Sequence, residues 1–191
     1  RTFVIDTHNG FAAFFDLDRT LLSGSSGEVF SEAMRVAGLI RGSIPGEKAI
    51  FGLFNRLGEN LPSMALARQA ATLARGRSRA AVQAAAERAA DVLADMIQPF
   101  AGPVLEEHRA EGRRLVMATT TPLDLVKPLA ERLGFDDVIA TRYGVNADGT
   151  YDGKIVGPFV WANGKLTAVR DWAERNGVDL ASSFAYSDSV Y

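Results

Sequence analysis

The chain of 191 residues contains no cysteine, which excludes a disulfide framework, a thiol nucleophile and a thiolate-ligated metal site. Its two histidines, His8 and His108, are too few for a multi-histidine zinc site. Positive charge is not in excess. Lys and Arg number 21 against 23 Asp and Glu, a net charge of -2, so the basic footprint of a nucleic-acid binder is missing. No run of 18 apolar residues occurs, and no signal-peptide pattern opens the chain. A soluble, cytoplasmic protein is the expectation. With 47% apolar and 23% charged residues the chain is too apolar for disorder, and its length fits one domain or one domain with an insertion. It begins at Arg1 rather than Met and stops at Tyr191 in what reads as a strand-to-loop junction, which suggests a piece of a longer protein.

Short apolar runs at residues 11–16, 114–118, 137–140 and 184–186 suit buried parallel strands. Helical patterns at 103–112, 122–133 and 165–176 alternate with them, which predicts βαβ units on a parallel sheet with right-handed crossovers. Residues 143–156 read as a hairpin turning at Asn146-Ala147-Asp148-Gly149. From Glu28 to about Gln98 the strand signal vanishes and alanine rises to 13 of the 30 residues between Ala65 and Ala94. Ser78 is placed to cap one helix there. Three or four helices are expected, bracketed by hinge-like Ser23–Gly27 and Pro99–Pro103. The expected architecture is an α/β core, residues 1–22 and 100–191, with a helical module of residues 23–99 inserted after the first strand.

Asp16-Leu17-Asp18-Arg19-Thr20 follows the first strand directly. An Asp-x-Asp-x-Thr pattern arises by chance about 0.05 times in a chain of this composition. Alternate residues of an extended segment point the same way, so Asp16 and Asp18 converge at the carboxyl end of the sheet, where ligands of open α/β sheets bind. Two close carboxylates repel unless a cation joins them, and a hard divalent ion suits oxygen donors.

With these residues the chain resembles the haloacid dehalogenase superfamily of phosphohydrolases. Asp16-x-Asp18-x-Thr20 looks like its first motif, Thr119 at the end of Leu115–Thr119 like its second, Lys165 in Gly164-Lys165-Leu166-Thr167 like its third, and Asp188 in Ser187-Asp188-Ser189 like the first acid of its fourth. The helical insert and the hairpin are similar to the phosphoserine-phosphatase-like branch, with a Rossmann-like core and an all-helical cap. The resemblance implies a Mg²⁺-dependent phosphomonoesterase. Asp16 would be the nucleophile, Asp18 the general acid and base, Thr119 and Lys165 the phosphoryl-binding groups, and Asp16, Asp18 (through its backbone carbonyl) and Asp188 the metal ligands. Thr20 would support the loop. The family's second acid in the fourth motif would fall just beyond Tyr191. Ser25 stands where phosphoserine phosphatases have a substrate-gripping Glu, with Glu28 three residues on; these two and Thr120 are the candidate substrate contacts. A matching cap arginine is not evident among Arg56, Arg68 and Arg75, which argues against strict phosphoserine specificity. Some members are fused to a glycerophospholipid acyltransferase domain, the origin of a second reading: a non-catalytic, regulatory module. The substrate expected is a small phosphorylated metabolite or a lysophospholipid-like phosphomonoester.

Singly, the later motifs have bland explanations. Thr119 alone reads as a strand-end cap, Asp188 as a turn residue, and Lys165 as a solvated charge at an unfavourable, positive helix start. Their order and spacing carry the assignment. A receiver-type signalling domain would need its acids on different strands and has no helical insert. Lys48–Leu57 is apolar around most of its circumference and reads as packing within the insert or a homodimer, ahead of a membrane-surface helix. His108 reads as a surface residue, His8 as part of a frayed terminus, and Trp161 and Trp172 as core.

Overall fold

The computed structural model describes residues 10–40 and 69–188. Among the described residues four parallel strands carry the fold: β1 (Ala12–Phe15), β2 (Arg114–Pro122), β3 (Asp137–Val145) and β5 (Phe184–Tyr186). β4 (Tyr151–Val156) turns back antiparallel on β3, so the sheet order is β4-β3-β2-β1-β5. The predicted strand at 137–140 thus runs on to Val145, because its far half pairs with β4 as one arm of the hairpin. All four residues of β1 are buried, as expected for a strand covered on both faces.

Helices supply those covers. One face holds Phe15, Leu17, Leu115 and Met117 against α3 (Ala101–Ala110) and α4 (Leu123–Arg132). The other holds Ala12, Phe14, Val116 and Ala118 against α5 (Asn163–Asn176), with Phe14 meeting Trp172 edge-on at 5.6 Å.

The described part of the insert is α1 (Gly27–Val36), helical residues 69–74 and α2 (Arg79–Ala94). Ser78 does cap α2, its hydroxyl accepting from the Ala81 amide at 3.3 Å. Alanines 85, 86, 89 and 90 are buried, which lets the α2 backbone approach its neighbours closely. Ala89, Ala90 and Leu93 join the same cluster as Phe15 and Met117, so α2 shares the hydrophobic core of the sheet. Arg132 of α4 pairs with Asp91 and Glu87 across that contact.

The two brackets of the insert are stitched together. Leu22 and Ile97 form an antiparallel bridge, Ser23 N–H donates to the Met96 carbonyl at 3.0 Å, and Gln98 N–H donates to that of Leu21 at 2.8 Å. The second bracket is shorter than the sequence suggests. Only Pro99 and Phe100 form a turn, while Ala101–Pro103 are the first turn of α3, where proline's missing N–H has no partner to lose. Residues His8, Lys48–Leu57 (with Phe51, Phe54 and Arg56) and Arg68 lie outside the described residues. Arg75 lies within them and donates to the Asp152 carbonyl on the hairpin at 2.9 Å.

Candidate active site

β1 ends by delivering Asp16 into a tight loop. The Asp16 N–H donates to the Tyr186 carbonyl at 2.9 Å, extending the β1–β5 ladder by one residue. Its carboxylate Oδ1 accepts from the Leu17 amide at 2.8 Å, and Oδ2 accepts from Lys165 Nζ at 2.9 Å. The residue is only 8% exposed, so that ion pair is poorly screened. Residues Leu17–Leu21 form one wide helical turn, broken by extended Asp18 and by Arg19 at φ 58°.

The loop's other polar groups tie it to what surrounds it. Asp18 Oδ1 accepts from the Ser26 amide at 2.6 Å, linking the loop to the start of α1. Thr20 is buried, and its hydroxyl accepts from the Asp188 amide at 2.9 Å. Gln98 at the exit of the insert donates to the Thr20 carbonyl at 3.0 Å. Asp188 pairs with Arg19 at 2.6 Å. An open cleft of about 320 Å³ lies beside these groups, lined by Arg19, Thr20, Gln98, Phe100, Tyr186 and Asp188 among others.

Lys165 reaches Asp16 because of the loop that precedes it. Ala162 takes φ 46°, and a side chain on Gly164 would collide with the Phe159 carbonyl oxygen, so only glycine fits there. The loop is pinned by Val160 N–H donating to buried Thr141 Oγ1 at 3.2 Å. Lys165 sits in the first turn of α5, where a cation opposes the helix dipole, and the Asp16 carboxylate offsets that misfit.

Thr119 is buried on β2, and its hydroxyl accepts from the Thr121 amide at 3.2 Å. Because Phe15 pairs with Met117, Thr119 lies at the same carboxyl edge of the sheet as Asp16. The sequence-derived set Asp16, Asp18, Thr119, Lys165 and Asp188 therefore shares one edge. Direct contacts join Asp16 to Lys165, Thr20 to Asp188, and Asp18 to the insert. Among the substrate candidates, buried Ser25 accepts from the Gly27 amide at 3.2 Å, Thr120 is half-buried next to Thr119, and Glu28 is exposed in the first turn of α1.

Among the described residues no three acidic or histidine side chains converge to cage a metal by themselves. The donors at the loop nevertheless suit a hard cation. Both Asp16 and Asp188 already hold a positive group within 3 Å, and both are oxygen donors.

His108 is a correction. Read from sequence as a surface residue, it is 3% exposed, with Nε2 2.9 Å from Tyr186 Oη and Nδ1 2.9 Å from Arg113 Nη1. Burial first, and the Arg113 charge second, push its pKa below the ordinary imidazole value. Ala101, Leu105 and His108 are all buried on α3, spaced by four and three residues. That helical spacing was available in the sequence.

A parallel α/β sheet, a helical insert after the first strand and an acid-rich loop paired with a lysine define the class of this protein. The chain belongs to the haloacid dehalogenase-like hydrolase family, whose model matches residues 13–191. It is 37% identical over 186 residues to a protein of Streptomyces azureus named inhibition of morphological differentiation protein, covering 94% of this chain and 65% of that one. It is 34% identical over 182 residues to phosphoserine phosphatase SerB1 of Mycobacterium tuberculosis, covering 93% of this chain and 59% of that protein. The chain thus spans about three-fifths to two-thirds of the length of these relatives. A crystal structure of a protein of unknown function from Bordetella pertussis superposes with a TM-score of 0.74 at 28% identity, covering 94% of this chain and 82% of that one. A phospho-aspartyl intermediate analogue of phosphoserine phosphatase shares the fold, with a TM-score of 0.58 at 21% identity, covering 92% of this chain and 76% of that one.

Proposed function

We propose that the protein is a Mg²⁺-dependent phosphomonoester hydrolase that works through an aspartyl-phosphate on Asp16. The observation that carries this reading is the buried Asp16 carboxylate at a strand end, held by Lys165 at 2.9 Å and by one amide. Family membership and the relatives named phosphatase support it.

An oxygen of the Asp16 carboxylate attacks phosphorus as the bond to the leaving alcohol breaks. A transient aspartyl-phosphate replaces one hard displacement by two easier ones. Asp18, held by the Ser26 amide, gives a proton to the departing alcohol and later takes one from the water that cleaves the aspartyl-phosphate. Lys165 fixes the Asp16 carboxylate and balances the negative charge that gathers as the phosphoryl group arrives. Thr119 donates its hydroxyl hydrogen to a phosphoryl oxygen, since the hydrogen bond it shows uses only its acceptor side. Asp16, the Asp18 carbonyl and Asp188 would hold Mg²⁺, which supplies charge neutralisation of the phosphoryl oxygens.

The substrate we infer is a small phosphorylated metabolite or a lysophospholipid-like monoester rather than phosphoserine alone. The position of the amine-gripping acid is Ser25, and Glu28 is exposed on α1. The test is a panel of phosphoserine, glycerol 3-phosphate and lysophosphatidate, with Mg²⁺ and after its chelation. Metal-dependent release of phosphate from at least one ester supports the proposal. Metal-independent release, or none from any ester by the full-length protein, overturns it and favours a non-catalytic module.

A further inference from the structure

Behind Asp16, on the side away from Lys165, stands a second hydrogen-bonded set. Tyr186 is the residue whose carbonyl receives the Asp16 amide. Its ring lies flat on that of Phe15, the residue before Asp16, with centroids 4.6 Å apart and planes at 4°. The tyrosine is thus fastened to the β1 terminus twice, through its backbone and through its face. What fixes its far end is His108, whose Nε2 lies 2.9 Å from Tyr186 Oη.

The proton on that ring is assigned by its other neighbour. An arginine guanidinium only donates hydrogen bonds, and Arg113 Nη1 sits 2.9 Å from His108 Nδ1. Nδ1 must therefore accept, which leaves the hydrogen of a neutral ring on Nε2, pointing at Tyr186 Oη. Arg113 is itself fixed: it pairs with Glu111, its guanidinium stacks 4.4 Å over the Phe184 ring, and its amide donates to the His108 carbonyl at 3.0 Å. Four elements meet here, α3, the turn before β2, β1 and β5.

We propose that His108, as the neutral Nε2–H tautomer, is a positioning residue for Asp16 that acts through Tyr186. It holds the Tyr186 ring flat against Phe15 and so fixes where the Asp16 carboxylate stands relative to the phosphorus. Misplacing an attacking group by about 1 Å can cost up to about a hundredfold in rate, so a modest tilt of this ring reaches the chemistry. His108 touches neither substrate nor any reacting atom. The inference rests on the reading of Asp16 as nucleophile.

His108→Gln and His108→Leu, made in the full-length protein, separate positioning from packing. A glutamine amide carries a donor and an acceptor spaced much like Nε2 and Nδ1, so it can serve Tyr186 and Arg113 together. The leucine fills space only. With a chromogenic phosphomonoester and Mg²⁺, the glutamine variant is expected to keep kcat within about threefold of wild type, and the leucine variant to lose about tenfold in kcat with KM within about twofold. Should the leucine variant fail to fold, Tyr186→Phe keeps the stacked ring, removes the hydroxyl and is expected to lower kcat in the same direction. Nitrogen chemical shifts of the imidazole give the tautomer without any turnover.

A folded His108→Leu or Tyr186→Phe protein with wild-type kcat would overturn the proposal. So would equal losses in the glutamine and leucine variants, or shifts showing an imidazolium or an Nδ1–H ring. Failure of the nucleophile reading looks different: the wild-type protein would then form no phosphoenzyme, or Asp16→Asn would still turn over, whatever happens at His108.

Discussion

Two carboxylates of this protein, Asp16 and Asp124, are equally hidden at 8% exposure, and their surroundings differ completely. Asp124 on α4 accepts from Arg79 through Nε and Nη2, from Gln83 Nε2 at 2.9 Å and from Tyr151 Oη at 2.9 Å. Three segments that are far apart in the chain, α2, α4 and β4, are joined by that one side chain. The nearby backbone strengthens the junction: Arg79 N–H donates to the Gly149 carbonyl, and Tyr151 N–H to that of Arg77. Among the described residues Asp16 accepts from one amide and one lysine. A carboxylate has about four acceptor sites, so Asp124 is saturated whereas Asp16 has room for an incoming group. Equal burial thus goes with opposite duties. The saturated acid holds the insert to the core, and the one with fewer partners is the acid to which the proposed chemistry is assigned.

The contrast is broken most severely by Asp16→Asn. It should lower turnover by more than about a hundredfold while the circular dichroism spectrum stays that of the wild type. Asp124→Ala should act through the fold. Its loss strips the acceptor from the buried Tyr151 hydroxyl and from Gln83, while Arg79, whose side chain is 44% exposed, regains water, so about 1–3 kcal/mol is lost, read in urea denaturation. A matched loss of turnover without loss of stability at Asp124 would mean that the two sites have been assigned the wrong way round.

Lys165→Met should cost about 3 kcal/mol in kcat, the scale of one preorganised charge at a developing anion, and should also lower the urea midpoint, because it leaves the buried Asp16 carboxylate without its cation. The pH dependence of stability is a smaller effect. His108 has a folded pKa lowered by burial and by Arg113, so between the unfolded value near 6.5 and the lower folded one only the unfolded chain binds the proton. Stability should therefore be level above about pH 6.5 and fall as the pH drops below it, by at most about 1.4 kcal/mol per pH unit from this group. His108→Gln should remove that part of the slope, measured as the urea midpoint against pH. The smallest change expected is at the anchored end of the insert: Ser78→Ala loses the α2 cap and about 1 kcal/mol, seen as a lower thermal midpoint with unchanged kcat.

Much of the reactive half was legible in the sequence, and much of the anchoring half was not. The apolar run before Asp16 predicts a doubly covered strand, and local spacing alone puts two acids after it. Ser78 was readable because a cap acts on its own helix within three residues. The Asp124 junction joins positions 79, 83, 124 and 151, which no local pattern connects, so Asp124 looks like an ordinary acid in a helix's first turn. The hairpin at 143–156 was legible from its Asn146–Gly149 turn, whereas the continuity of its first arm with the strand at 137–140 was not, since β3 pairs with β2 along one half and with β4 along the other. His108 was misplaced by residue type. The α3 spacing points inward, but the groups that make its burial tolerable are Tyr186, remote in sequence, and Arg113, beyond the end of the helix.

Everything proposed for the site turns on Asp16 receiving the phosphoryl group. The direct measurement is to mix the full-length protein with a phosphomonoester labelled in the phosphoryl group and Mg²⁺, quench in acid within milliseconds, reduce the acyl phosphate with borohydride and map the modified peptide. One modified residue is expected, at position 16, absent from Asp16→Asn and retained in the folded fraction of Asp124→Ala. Phosphate release by the wild-type protein with no modified peptide, or with the modification at another acid, would contradict it.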